Sequence, residues 1–238
     1  MITIARKKAG LAYRQHWFAR SPRQGWGLTT LRQYLGTAPG FPFFKHTQHT
    51  LLIDLTQDDE ALQTAMSKNM RSQLRKAEND GFVWEPSTDF EEFRHLFNAF
   101  AADKGLKALS TGVLEAEREF LFIAKVSFEG RALVAHAYLV DHEESRARFL
   151  YGATVRLAEG VDANLVGRAN RWAHWREMQE FRSRNLKTFD FGGYALNTKD
   201  TQKQGINQFK ESFGGGVVEE STYDSLWFAM AKSVLGRA

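Results

Sequence analysis

The chain has 238 residues, 43% of them hydrophobic and 25% charged, which excludes disordered, collagen-like and disulfide-scaffold classes. It contains no cysteine, so thiolate catalysis, cysteine-bound zinc and iron–sulfur clusters are excluded, and the reducing cytoplasm is the expected compartment. The net charge of +4 is uneven, because residues 1–50 hold eight Lys and Arg and no Asp or Glu, leaving −4 on the remainder.

Those fifty residues also carry eight aromatics and three of the four prolines. A basic, aromatic, acid-free segment either offers a phosphate or nucleic-acid surface, with cations on the backbone and rings on the bases, or lies as a basic flank over the main domain. Residues 2–5 and 11–17 read as a hairpin. Residues 21–40, rich in Gly and Pro, read as a connection with at most a short helix over 28–35. Regular structure is expected after His49, beginning with a buried strand at 51–55. Helices follow at 58–66 and 68–80, the second stopped by Gly81. On that second helix Met70, Leu74 and Ala77 share one side, while Lys68, Arg71 and Arg75 form an opposite, cationic face.

A short strand at 82–85 precedes the clearest amphipathic helix. Thr88 and Glu91 suggest a capping box, and Phe90, Phe93, Phe97 and Phe100 recur at helical spacing. After a further helix at 112–119, three strand-like runs at 120–128, 132–140 and 147–154 are separated by hairpin-length turns and predict an antiparallel meander. A loop from Arg156 leads to a long helix at 163–184. A strand at 188–191, a helix at 204–212, a strand at 217–223 and a closing helix at 226–235 complete the chain. No apolar run reaches the ~18 residues of a membrane span. The order predicts an α+β fold with helices over a mostly antiparallel sheet, and the long helix between strands 147–154 and 188–191 is a βα crossover that implies a parallel pair. Where such a pair splays, a cleft can open for an extended ligand.

The runs MRSQLRKAENDG at 70–81, FDFGGY at 189–194 and GINQFKESFGG at 205–215 resemble, in content and order, the FemABX group of acyltransferases within the GNAT superfamily. The resemblance covers residues 50–223. It implies a GNAT-like fold and transfer of an acyl or aminoacyl group from an activated donor, acyl-coenzyme A or aminoacyl-tRNA, to an amine or hydroxyl. In the best-known members the donor is an aminoacyl-tRNA and the acceptor a cell-wall stem peptide, which implies a place in cell-wall or polysaccharide biosynthesis. Those members carry two tandem GNAT-like domains. Here residues 1–48 are too few for one, so they are expected to form a vestigial or partial first unit ahead of a GNAT-like domain over 49–238. The pyrophosphate loop of coenzyme-A-dependent relatives is not evident in 156–167.

Lys210 is the leading candidate for chemistry. It projects about 40° from Ile206 on the helical wheel, with Phe209 and Phe213 on the other side, so its amine emerges beside an apolar face. Such a lysine either snorkels to water or holds a phosphate or a developing oxyanion. The resemblance associates the Phe209–Lys210 pair with the donor end. Asp190 alternates with Phe189 and Phe191 and faces away from both rings, either as a turn cap or as a catalytic carboxylate. Gly192 and Gly193 permit a strained turn or a close backbone approach. Tyr151 is either a sheet-face tyrosine or a proton donor to the leaving group. His136, in an apolar strand, reads as a satisfied sheet histidine, and no metal site is expected. Lys68, Arg71 and Arg75 are either solvated surface or a track for an anionic donor. The competing expectation is a non-catalytic RNA- or anion-binding module on the same fold. The acceptor class is an amine-bearing molecule, and the oligomeric state is left open.

Overall fold

The computed structural model describes residues 1–8, 10–22, 27–155 and 162–235. The chain runs through β1 (Ile2–Lys8), β2 (Leu11–Trp17), β3 (Thr29–Tyr34), β4 (Phe43–Asp54), α1 (Asp59–Ala65), α2 (Lys68–Ala77), β5 (Val83–Ser87), α3 (Phe90–Asp103), α4 (Thr111–Glu117), β6 (Leu121–Phe128), β7 (Arg131–Asp141), β8 (Arg146–Thr154), α5 (Ala163–Ser183), β9 (Thr188–Gly193), α6 (Thr201–Glu211), β10 (Gly216–Ser225) and α7 (Leu226–Leu235). Two units divide it. The first comprises Met1–Thr50, Gly193–Leu196 and Val217–Ala238, and the second Leu51–Gly192 and Asn197–Gly216.

In the first unit β1 and β2 form the expected hairpin, in register from Ile2 opposite Trp17 to Lys8 opposite Leu11. The strand order is β1, β2, β3, β10 and then the first half of β4. Two sequence expectations are corrected here. Residues 28–35 are not helical: Thr29–Tyr34 is a strand parallel to β2 and antiparallel to β10. The spacing of Leu28, Leu31 and Leu35 suits a helix, but a partner strand almost two hundred residues away overrides local propensity. Regular structure also starts before His49, because β4 begins at Phe43. Residues 44–48 are exposed and carry no alternation from which a strand could be read. Leu31, Tyr34 and Tyr223 pack on one face of this sheet, with Ala19 beside them.

The second unit has the strand order β4, β9, β8, β7, β6, β5. The meander is antiparallel throughout. β9 pairs parallel to β8 after the α5 crossover, so this is the mixed, mostly antiparallel sheet with one βα crossover that the element order predicts. Strand alternation sorts the two faces. Ala135, Ala137, Ala153 and Tyr151 pack with Phe93 and Phe97 of α3, whereas Val134 packs with Ala169 and Ala173 of α5, joined by Leu133 where a register shift against β6 interrupts the alternation. The α3 cap is Asp89 rather than Thr88, its carboxylate accepting from the Glu92 amide at 2.8 Å. Among the described residues no helix is long and apolar enough to cross a membrane.

Candidate active site

The site grows from the end of β9. β8 and β9 pair only from Arg146 opposite Thr188 to Arg148 opposite Asp190, although β8 continues to Thr154. Beyond Asp190 the paired register ends, although Gly192 still lies against the Phe149 carbonyl. Phe189 and Phe191 turn to the α5 face and are fully buried, while Asp190, with no exposure, turns the other way as the alternation predicts. Its Oδ2 accepts from the Arg146 guanidinium at 2.6 Å, with Arg148 at 3.8 Å. Its Oδ1 accepts from the Gly192 amide at 2.7 Å. Asp190 is therefore a turn cap with charged partners, and its expected alternative as a free catalytic carboxylate is not supported by these bonds.

Gly192 adopts φ +71°, and a Cβ there would lie 3.2 Å from the Phe149 carbonyl oxygen. Only glycine fits this turn without strain. Gly193 differs, since a Cβ there would meet nothing within 4 Å.

The turn presents the Gly192 carbonyl to Lys210, whose Nζ donates to it at 3.2 Å. The α6 helix that carries Lys210 is turned opposite to the apolar reading of its sequence. Ile206 is 53% exposed, whereas Asn207 and Lys210 are each 8% exposed. A helix that buries its amide and ammonium and exposes its isoleucine is shaped by a polar site, not by a core. Burial lowers the Lys210 amine to about 8, with Arg148 adding to the effect and Asp190 opposing it. At neutral pH it is still mostly an ammonium. Phe209, which precedes it, packs against Phe213 at 5.3 Å and lies under the Arg171 guanidinium at 5.5 Å.

Behind Phe209 stands a polar network that the sequence reading missed. His174 lies 5.7 Å from the Phe209 ring and 5.1 Å from Phe191. Its Nδ1 is 2.8 Å from the Tyr138 hydroxyl, which donates in turn to Glu177. His136 Nδ1 is 2.9 Å from both Glu177 oxygens, and its Nε2 is 3.0 Å from Asn170 Oδ1. All four side chains other than Asn170 are within 1% of full burial. Burial pushes the Glu177 carboxyl up, but His136 and His174 outweigh it and hold it at about 2. Burial, aided by His136, brings His174 down to about 4. Burial and Glu177 raise Tyr138 well above the usual phenol range. At neutral pH Glu177 is thus ionised and His174 neutral, its Nδ1 proton directed to the Tyr138 oxygen. The ligand atoms of His136, His174 and Glu177 lie within 4.8 Å of one another, and all three already take part in this network. The signal in the sequence is a His–Glu pair three apart inside the apolar face of α5, facing a strand histidine.

The remaining candidates do not gather here. Tyr151 is on the opposite sheet face, its ring edge on Phe97 at 5.5 Å and its hydroxyl donating to Glu117 at 3.2 Å. Strand alternation that sends His136 to α5 sends Tyr151 to α3, so its expected role as proton donor is withdrawn. Arg71 donates to the carbonyls of Gln63, Thr64 and Met66, closing the carboxyl end of α1. Lys68 and Arg75 are exposed, so the three cations do not act as one track. Arg146 and Arg148, two residues apart in a buried strand, are the cations that reach the site. The loop read for a pyrophosphate motif lies outside the described residues over 156–161.

No protein-family profile matches the chain, and no curated protein does. Solved structures do. FemX superposes with a TM-score of 0.64 at 16% identity, over 79% of this chain and 64% of that one. L-PGS from Bacillus licheniformis superposes with a TM-score of 0.56 at 12% identity, over 83% of this chain and 69% of that one. The fold is therefore FemX-like, and the chain spans less than two thirds of the length of FemX.

Proposed function

We propose that the protein is an acyltransferase that moves an acyl or aminoacyl group from acyl-coenzyme A or aminoacyl-tRNA to an amine or hydroxyl, with Lys210 at the donor end. The observation that carries this reading is the buried ammonium of Lys210, held by the Gly192 carbonyl where the β8–β9 register ends, on a FemX-like fold. The reaction needs no covalent enzyme intermediate. The acceptor lone pair attacks the thioester or ester carbonyl, a C–N or C–O bond forms, and the carbonyl oxygen takes the negative charge. Lys210 stabilises that oxyanion or the donor phosphate. Collapse breaks the bond to sulfur or ribose oxygen, and the proton lost by the acceptor ends on the released thiol or hydroxyl. Phe209 and the Gly192 turn position the lysine, and Arg146 and Arg148 pair with Asp190 beside it.

The resembled family makes cell-wall and polysaccharide precursors the first acceptors to test, and the cytoplasm, where both donors are made, the place of action. The test is to incubate the protein with acyl-coenzyme A and, separately, with charged tRNA over a set of amine acceptors. Release of free thiol selects the coenzyme donor, and deacylated tRNA selects the other. Lys210→Ala is expected to lower the productive rate by about 100-fold or more. Silence with both donors, together with salt-sensitive tRNA binding, selects the non-catalytic RNA-binding module instead.

A further inference from the structure

The first unit contains a cavity of about 240 Å³ under α7. A helix laid over a sheet ordinarily seals an apolar core. Here the alternating positions of four strands that face the cavity are Gln15, Thr30, Gln48, Thr222 and Asp224, a floor unsuited to packing. The apolar lining comes from Leu11, Ala231 and the rings of Tyr13 and Phe228, which meet at 4.7 Å.

Buried residues on this floor open polar atoms onto the cavity that have no partner among the described residues. Asp224 is 2% exposed, and its two bonds, from Lys232 at 2.7 Å and His46 at 3.0 Å, both go to Oδ2. Oδ1 accepts from no described residue. The side chains of Lys232 and His46 are 49% and 50% exposed, so each can swing aside. Gln15 is 7% exposed. Arg6 donates to its Oε1 at 3.2 Å, which fixes the amide orientation and leaves Nε2 as a donor directed elsewhere, without an acceptor among the described residues. The Thr30 hydroxyl, on a residue 3% exposed, likewise has no partner among them. Three residues this buried that open unpartnered polar atoms onto one cavity point to a ligand that supplies the bonds.

Charge selects the ligand. A simple anion would meet the Asp224 carboxylate. A simple amine would add another cation beside Arg32 and Lys232. A molecule carrying one ammonium and one carboxylate satisfies both. We propose that the cavity binds a small zwitterion of the apolar α-amino-acid class, its ammonium at Asp224 in place of Lys232, and its carboxylate on Lys232, Arg32 and the Gln15 amide. The side chain lies against Tyr13 and Phe228. The volume is below the ~300 Å³ at which drug-sized sites begin, which suits one amino acid.

The proposal does not rest on the acyl-transfer reading, and turnover lost in Lys210 variants with amino-acid binding retained separates the two. The test is calorimetric titration of the full chain with L-leucine, L-methionine and L-phenylalanine, each beside its deaminated acid and its decarboxylated amine. At least one amino acid is expected to bind saturably, with both of its analogues weaker by about tenfold or more. Asp224→Asn should weaken it by a similar factor, and Ala231→Trp, which fills the cavity from the helix side, should abolish it should the Asp224 variant fail to fold. No saturable binding by any of the three, or an analogue binding as tightly as its amino acid, would overturn the assignment.

Discussion

Lys210 carries a cost that its neighbours do not cancel. Its amine titrates near 8 in the folded chain because burial outweighs Asp190, against about 10.4 for a free lysine. The folded state therefore holds this proton less tightly than the unfolded one. The sign follows: stability rises as pH climbs from about 8 to the free value, and below 8 the buried charge costs on the order of 3 kcal/mol. Lys210→Met keeps the length and removes the charge, so its melting temperature at pH 7 should equal or exceed that of the parent while transfer collapses. Calorimetry beside a turnover assay checks this, and a variant that loses both stability and activity would make the lysine structural. The His174–Glu177 pair has the same sign in a lower pH window. His174 at about 4 lies below the free histidine value, so the unfolded chain takes up a proton that the folded chain refuses as pH falls from 6.5 to 4. Glu177, held at about 2, contributes stability that is complete above 4.5 and lost toward 2. The urea midpoint is expected to decline through both windows. Glu177→Gln should lower stability at pH 7 by about 3 kcal/mol, as breaking a buried charged network does, and flatten the lower decline. A midpoint unchanged between pH 6.5 and 4 would refute a buried neutral His174.

At the scale of elements, the end of β9 and the helix α6 form one device, since the turn at Gly192 directs the carbonyl that Lys210 holds. Gly192→Ala forces a side chain into φ +71° against the Phe149 carbonyl, at a cost of about 1–2 kcal/mol for the left-handed backbone alone. Gly193→Ala meets nothing. Thermal melts and turnover of the two variants should therefore separate them, with only Gly192→Ala impaired in both. Equal behaviour would show that the turn does not position the lysine. This contrast marks the limit of what was legible from sequence. The FDFGG run announced a special turn, but not which glycine it needs. Strand alternation correctly turned Asp190 away from Phe189 and Phe191. The meander, the α5 crossover and the phenylalanines of α3 were readable because each signal is local and periodic. β3 was not, because its partner β10 lies at the far end of the chain, and neither was the first half of β4, whose residues 45–48 are polar and exposed. On α6 the wheel placed Lys210 beside an apolar face. The structure buries Asn207 and Lys210 and exposes Ile206, an inversion that amphipathic reasoning cannot anticipate, because it assumes that hydrophobic residues face inward.

Over the whole molecule, charge and chemistry are carried by different residues. The first fifty residues hold eight cations without an acid, and the remainder is net −4. Some of those cations have local partners, as Lys45 has in Glu219 at 2.9 Å, and Arg32 stands over the Trp17 ring at 5.5 Å. The acid-free run is nevertheless strongly positive. Such a field attracts any polyanion, with an affinity set by surface cations and therefore weakened by salt. Lys210 is a single buried charge among 32 Lys and Arg, and it contributes little to that field at a distance. Binding of uncharged tRNA and transfer of an acyl group should consequently come apart. Fluorescence anisotropy with labelled tRNA is expected to show an affinity that drops steeply on a logarithmic salt scale, with the same slope in Lys210→Met as in the parent, while transfer is lost only in the variant. A flat salt dependence would remove the basic segment as a polyanion surface. A variant that loses tRNA binding along with transfer would place the lysine on the nucleic acid itself, and so identify the donor as the aminoacylated RNA rather than coenzyme A.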